Sequence, residues 1–195
     1  AIVGAIQKND APVTKITIVP RTGGALGFTM QVEDDERYLM SKSQAMDEIA
    51  VLCGGRAAEE LIFGEMTNGA SNDIERATAI ARAMVTQYGM SDKLGMVTLS
   101  QQQSRYLGGG SSLTCSEATA EEIDAEVRRI VEEGHQRALQ TLKENRFKLH
   151  EIAHYLQKKE TITGEEFMNI LKRENTFAPV VESTNEEGSS TSSAE

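Results

Sequence analysis

The chain is poor in basic residues and contains no long apolar run, and each shortage excludes a class of protein. Lys and Arg number 20 against 30 Asp and Glu, which gives a formal net charge of −10. A nucleic-acid partner would need a basic face, so this charge argues against one. No run of about 18 apolar residues occurs, so the sequence predicts neither a membrane-spanning helix nor an obvious signal peptide.

Cysteine is also scarce, and one common nucleotide-binding motif is missing. Cys53 and Cys115 are the only two cysteines and show no C-x-x-C spacing, which favours reduced thiols in a cytosolic-type compartment. No G-x-x-x-x-G-K-[ST] phosphate loop is present, so the chain is not expected to hydrolyse ATP by that route. The sequence starts without Met inside an apolar run, residues 1–6. We therefore expect a domain of a longer protein.

Hydrophobic spacing predicts a mainly α-helical fold. Two apparent helix boundaries support the spacing: Gly64 ends the first long helix, and Thr163 with Glu166 forms a capping box at the last. The longest helix carries Ile123, Val127, Ile130 and Val131 as its buried stripe and begins at Ser116 or at Thr119, which has capping-box spacing to Glu122. The predicted helices are 1–7, 43–63, 73–88, 116 or 119 to 143, 146–158 and 163 onward.

Three other segments have non-helical patterns. Residues 15–20 and 25–32 read as the two strands of a hairpin, with a turn at 22–24. Residues 101–112 have loop composition. Residues 174–195 read as an acidic, Ser-rich disordered tail that follows a folded domain, residues 1–173.

Two adjacent glycines and an Asp at a predicted helix start are the most informative residues of the chain. Gly54 and Gly55 fall inside helix 43–63, where glycine costs about 1 kcal/mol relative to alanine, so another backbone is expected to approach closely. Ser71 is expected to be the N-cap of the next helix, which places Asp73 in its first turn. The helix dipole favours the charged carboxylate there. This holds both if Asp73 binds a cation and if it is only a stabilising residue at the helix start.

These residues belong to a pattern that resembles the protease domain of the FtsH family, membrane-anchored ATP-dependent zinc metalloproteases of the AAA+ class. The resemblance covers roughly residues 1–173, and the matching segments occur in the family's order. It implies a mainly α, helical zinc-protease domain with a small hairpin or sheet at the substrate side and a C-terminal helical bundle. The matching segments are 2–4, 15–21, 25–29, 54–60, 69–73, 84–89, 126–130 and 159–164.

The resemblance also implies roles for single residues. Of the family's three zinc ligands, the Asp corresponds to Asp73. Glu59 corresponds to a carboxylate that hydrogen-bonds a metal-ligating His, although spacing alone does not separate Glu59 from Glu60. The family's H-E-x-x-H, with both His ligands and the general-base Glu, would precede Ala1. The chain alone is therefore expected to hold no catalytic residue and to be inactive, and its adjacent glycines would let their helix approach the zinc helix.

For the intact protein, the resemblance implies peptide hydrolysis at one zinc ion per subunit, with ATP and Mg²⁺ in an ATPase domain. Zinc would lower the pKa of a bound water to about 7 and polarise the scissile carbonyl. Leu26, Gly27, Phe28 and Thr29 would be the edge strand that pairs with an extended, unfolded substrate, although a purely structural hairpin explains them equally well. A homo-hexamer is implied, in the bacterial inner membrane with this domain in the cytoplasm, or in an organellar membrane.

A second H-E-x-x-H motif lies within the chain, at residues 150–154. His150 and His154 are four residues apart on a predicted helix, Glu151 stands between them, and Glu174 follows 20 residues after His154. This spacing resembles the ligand set of a thermolysin-like protease.

We interpret the second motif as a coincidence. Leu149, Ile152, Ala153 and Leu156 would form the inward stripe of that helix, which leaves both histidines on its flanks. Glu174 stands at the end of the folded region, a poor place for a preorganised ligand. A thermolysin-like protease and a non-catalytic module for ring assembly stay open as alternatives. The residues encoded before Ala1 would distinguish both from an FtsH-like zinc protease domain.

Overall fold

In the computed structural model, the residues described are 1–7, 12–20, 27–31, 39–102 and 111–173. Within these ranges the fold is mainly helical, with a three-stranded and a two-stranded antiparallel sheet, so the predicted fold class is confirmed. The helices are α1 (Ile2–Ile6), α2 (Lys42–Phe63), α3 (Ser71–Thr86), α4 (Glu117–Glu144), α5 (Arg146–Lys159) and α6 (Gly164–Lys172). The strands are β1 (Val13–Thr17), β2 (Phe28–Gln31), β3 (Ser100–Gln102), β4 (Ser111–Leu113) and β5 (Thr161–Thr163).

The local sequence accounts for where most helices begin and end. The side chain of Ser41 accepts from Gln44 N while the Gln44 side chain accepts from Ser41 N, which caps α2, and α2 ends at Gly64 with a left-handed φ of 68°. Thr163 and Glu166 form the predicted capping box of α6. For α4 the cap is Ser116, whose hydroxyl accepts from Thr119 N, so the capping box expected to begin at Thr119 was wrong.

The core lies where α4 packs along α2, with α3 against both. On α4, Ile123, Val127 and Ile130 are buried as predicted, whereas Val131 is only half-buried. The two helices approach closely at Gly134, where a Cβ atom would lie 2.5 Å from Ile49 Cγ2. A side chain at this position of α4 would therefore push the helices apart.

The three-stranded sheet has the order β2-β1-β5, with all neighbours antiparallel. The predicted hairpin is confirmed, although β1 is Val13–Thr17 and so ends before the predicted residue 20. Ile18 N still bonds to Glu160 O, just before β5. Strand β5 was not predicted. It pairs Ile16 with Ile162, which is 1% exposed, and so ties the start of α6 to the hairpin.

One predicted loop overlaps two short strands, and several other predicted features lie outside the described residues. The loop predicted at 101–112 contains parts of β3 and β4, which pair with each other. The turn at 22–24, Leu26 and the tail 174–195 lie outside the described residues. Of the helices that the structure describes, none combines the length and apolar character needed to cross a bilayer.

Valine at Gly134 should destabilise the fold, whereas valine at Gly55 should not. At Gly134 the added atoms meet Ile49, and such overpacking costs about 1–3 kcal/mol. At Gly55, which is also helical but exposed, a Cβ atom would meet nothing within 4 Å. We expect urea unfolding of the 195-residue chain to show that loss for Gly134→Val and a change within about 0.5 kcal/mol for Gly55→Val. Equal effects of the two substitutions would contradict this packing account.

Candidate metal and peptidase site

Asp73 occupies the first turn of α3, as the sequence predicted. Its side chain is half-buried, and the 16-residue helix presents its positive dipole end to the carboxylate. The helix is anchored in the core by Ala77, Ala81 and Met84, which are all fully buried. Asp73 therefore stands at the start of a well-packed helix, and its role as a metal ligand stays a prediction.

The expected N-cap of α3 was wrong. Ser71 is the first helical residue, and the cap position is Ala70, which makes no side-chain cap. The reason is that a 3₁₀ turn, Asn68–Ala70, runs directly into α3, so Ala70 already has φ −88° and ψ 6° instead of the extended backbone of an N-cap. The hydroxyl of Thr67 caps that turn by accepting from Gly69 N at 3.1 Å.

Glu59 is bound to this turn. Its Oε1 accepts from Thr67 Oγ1 at 2.5 Å, and its Oε2 accepts from Thr67 N at 3.3 Å and from Arg56 Nη1 at 3.1 Å. Arg56 Nη2 donates to Thr67 O at 2.9 Å. Arg56, Glu59 and Thr67, hereafter the bracket, thus join α2 to the segment that leads to Asp73. The Thr67 hydroxyl and amide, with the Arg56 charge, hold the pKa of Glu59 below its usual range.

Glu60 lies at the surface and has a partner on another helix. Its Oε2 lies 2.8 Å from Nε2 of His135 on α4, and its side chain is 40% exposed. The two neighbouring carboxylates therefore point to different elements: Glu59 to the turn before α3 and Glu60 to α4. Spacing alone did not distinguish them.

The pKa of the Cys53 thiol on α2 is affected by charged groups on α3 and α4. Burial raises its pKa, and the negative charges of Glu132 and Asp73 act in the same direction, so that together the three bring it to about 11. This pKa keeps Cys53 a neutral thiol at physiological pH, so the thiol is not activated as a nucleophile.

The residues described here do not by themselves form a zinc site. Within ranges 1–7, 12–20, 27–31, 39–102 and 111–173, no three His, Cys, Asp or Glu side chains are grouped to hold a metal. Asp73 fits the role of one carboxylate ligand by its position and chemistry. A complete zinc site would need further ligands from beyond the described residues.

The adjacent glycines were expected to admit the zinc helix. A Cβ atom at Gly54 would make ordinary contact, at 3.4 Å, with Val3 Cγ2 of α1. At Gly55 no described atom lies within 4 Å. Helix α1 thus contacts α2 at Gly54, but within the described residues neither glycine is required by that contact, and the approach of the zinc helix stays a prediction.

The predicted substrate strand is only partly described. Phe28 and Thr29 lie in β2, Gly27 immediately precedes it, and Leu26 is outside the described residues. In the order β2-β1-β5, β2 is an edge strand of the sheet as far as the structure describes it. A Cβ atom at Gly27 would lie 2.5 Å from Thr17 O, so glycine lets the hairpin strands meet there. Its binding of substrate stays a prediction.

The internal H-E-x-x-H motif lies on α5, where both histidines are exposed. Glu151, which would be the general base, lies 3.3 Å from Lys148 Nζ and 3.6 Å from Arg173 Nη1. Helix α5 packs on α4, α6 and β5. An exposed pair beside a carboxylate held by two cations is not arranged as a catalytic zinc site, and Glu174 lies outside the described residues.

The inward stripe predicted for α5 was partly wrong. Ile152 and Leu156 are buried, but Leu149 is only half-buried and Ala153 is exposed. Lys148, four residues before Ile152, is 6% exposed and completes the row instead. Its aliphatic stem can pack inward while its ammonium group reaches Glu151, which a count of apolar residues does not detect.

Sequence reasoning also missed Arg56, Thr67 and His135. The first two had detectable signals: Arg56 stands three residues before Glu59 on one helix face, and Thr67 stands two before Gly69, a spacing at which a hydroxyl bonds its own backbone. His135 gave no signal because its partner Glu60 is 75 residues away.

The helical fold and the helix-start carboxylate agree with the zinc-peptidase domain that the resemblance implied. Residues 1–170 match the model of peptidase family M41. The chain therefore belongs to peptidase family M41, a family of metallopeptidases.

The relatives of this chain include three proteins named ATP-dependent zinc metalloprotease FtsH. That of Lancefieldella parvula is 96% identical over 195 residues, which cover 100% of this chain and 30% of the relative. That of Clostridium perfringens is 52% identical over 171 residues, 88% of this chain and 24% of the relative. That of Kosmotoga olearia is 47% identical over 174 residues, which cover 88% of this chain and 27% of the relative. The chain thus spans less than a third of the length of these relatives.

The pKa of Glu59 should be measurably low, and Thr67 should be the main reason. Because the depressed pKa favours the charged form in the folded state, Glu59 stabilises the fold fully above about pH 4.3, and the effect is lost as pH falls through the folded pKa. We expect the Glu59 carboxyl carbon to titrate by NMR below about 4.3, and closer to that value in Thr67→Val. A titration at or above 4.3 in the unsubstituted protein would contradict the described contacts.

Removing both histidines of the internal motif should leave metal binding unchanged. His150→Ala with His154→Ala alters only exposed side chains of α5, so the full-length protein should keep its zinc content. The 195-residue chain alone should bind no zinc in a tight one-to-one ratio. Loss of zinc from the double variant, or tight stoichiometric binding by the chain alone, would restore the thermolysin-like alternative.

Proposed function

We propose that this chain is the peptidase portion of an ATP-dependent zinc metalloprotease that degrades unfolded or misassembled proteins. The observation that carries the proposal is the 96% identity over the whole chain to the Lancefieldella parvula relative of that name. The match to peptidase family M41 over residues 1–170 supports the same activity. The folded domain is assigned to residues 1–173 and a disordered tail to 174–195.

Asp73 is the zinc ligand that this chain contributes. Its place in the first turn of α3, half-buried and favoured by the helix dipole, supports this role. The two His ligands and the general-base Glu come from a segment outside the sequence given. Bound zinc would polarise the scissile carbonyl and activate a water, and this chain's own part is to hold the Asp73 carboxylate in place.

The substrate binds as an extended polypeptide along the edge of β2. An edge strand offers backbone groups to a peptide and reads main chain more than side chains, which suits a protease supplied with unfolded protein. The enzyme is a homo-hexamer anchored in a bacterial inner membrane, with this domain in the cytoplasm and ATP and Mg²⁺ bound in its ATPase domain. The resemblance to the FtsH family supports this assembly and location.

The Asp73→Asn substitution tests the proposal most simply. In the full-length protein it should keep the fold but sharply reduce zinc content and casein degradation, because the amide oxygen is a far weaker zinc ligand than the carboxylate. Glu75→Gln is the matched control, since Glu75 is an exposed carboxylate two residues further along the same helix. Normal zinc content and normal proteolysis in Asp73→Asn would refute the assignment of Asp73.

A further inference from the structure

Helix α3 has an unusual start for a helix that would carry a metal ligand. Its N-cap, Ala70, makes no side-chain hydrogen bond to the first turn. The preceding 3₁₀ turn is held by the Thr67 hydroxyl, and Thr67 is held by α2. The position of Asp73 relative to α2 therefore depends on contacts made six residues earlier.

The bracket fixes Thr67 through every polar group that this residue has. Its amide and hydroxyl donate to Glu59, its carbonyl accepts from Arg56, and its hydroxyl oxygen also accepts from Gly69 N. Arg56 and Glu59 are themselves largely buried, with side chains 17% and 21% exposed. Both stand on α2, a helix of 22 residues that packs in the core. The bracket therefore holds Thr67 in a fixed place relative to that helix.

We propose that the bracket of Arg56, Glu59 and Thr67 positions Asp73 for metal binding, so that these three are positioning residues of the zinc site. This inference rests on the proposed function, in which Asp73 is a zinc ligand. It gives Glu59 a role that differs from the resemblance, where the corresponding carboxylate bonds a metal-ligating His. Both Glu59 oxygens are engaged with Thr67, and one also with Arg56.

The physical need for such a bracket follows from the tolerance of a zinc site. Zinc–oxygen distances are confined to about 2.0–2.2 Å, so a ligand displaced by a fraction of an ångström loses most of its bond. The core contacts of Ala77, Ala81 and Met84 fix the body of α3 but leave its first turn to local interactions. Losing the bracket should therefore loosen the start of α3 without unfolding the helix.

The test uses the chemical difference between threonine, valine and serine in the full-length protein. Thr67→Val keeps the shape but removes the hydroxyl, whereas Thr67→Ser keeps both hydroxyl bonds. Thr141→Val is the matched control, because among the described residues the Thr141 hydroxyl on α4 bonds only the Arg137 carbonyl, one turn earlier. Arg56→Lys is a second variant of the bracket, since one ammonium group does not reproduce the two-nitrogen contact with Glu59 and Thr67 O.

The first readout is zinc retention against a competing chelator. We expect Thr67→Val and Arg56→Lys to weaken zinc binding about 10–100-fold, as is typical for groups that orient a ligand. Thr67→Ser and Thr141→Val should retain zinc like the unsubstituted protein. Wild-type retention in both Thr67→Val and Arg56→Lys would overturn the inference, as would an equal loss in Thr141→Val.

The second readout is amide hydrogen exchange of the zinc-free protein over residues 67–76. Exchange there should be faster in Thr67→Val and unchanged in Thr141→Val, with the melting temperature of both variants close to that of the unsubstituted protein. Unchanged exchange in Thr67→Val would overturn the inference whatever happens to zinc.

Asp73→Asn, measured alongside, separates this inference from the proposed function. If Asp73→Asn loses zinc while both bracket variants retain it, the positioning role is wrong and the proposed function stands. If Asp73→Asn keeps its zinc, the proposed ligand is wrong, and any faster exchange then reports only a structural turn.

Discussion

The close packing of α4 along α2 is the contact on which the rest of the described structure depends. It is possible because Gly134 lets Ile49 reach the backbone of α4, and it buries the stripe of Ile123, Val127 and Ile130. Helix α3 then packs against both helices. Since α2 is held along its length, the polar side chains near its C-terminal end are presented from a rigid base.

Those polar side chains are divided between two neighbouring elements. Glu59, with Arg56, binds the turn that leads into α3, whereas Glu60 meets His135 on α4. Gly54 lies on the same helix against α1. One helix thus connects the three elements around the proposed metal site. This arrangement explains how a short motif in α2 can matter for a ligand that belongs to another helix.

Local patterns in the sequence predicted the helices and the place of Asp73, because apolar periodicity and capping residues act over a few positions. They did not predict β5, since three residues are too few to establish an alternating pattern and its partner β1 lies far along the chain. The cap of α3 was misassigned to Ser71 because the 3₁₀ turn before it replaces an extended cap residue. Spacing indicates the local Arg56–Glu59 and Thr67–Gly69 contacts, but it does not reveal the contacts of Arg56 and Glu59 with Thr67 or the Glu60–His135 pair, which join different elements.

The central claim is that this chain contributes Asp73, and not the histidines of α5, to a zinc ion. The most direct measurement is anomalous diffraction at the zinc absorption edge from crystals of the zinc-loaded full-length protein. The account predicts one peak per subunit about 2.0–2.2 Å from a carboxylate oxygen of Asp73. A peak at that distance from His150 or His154, with none at Asp73, would contradict it.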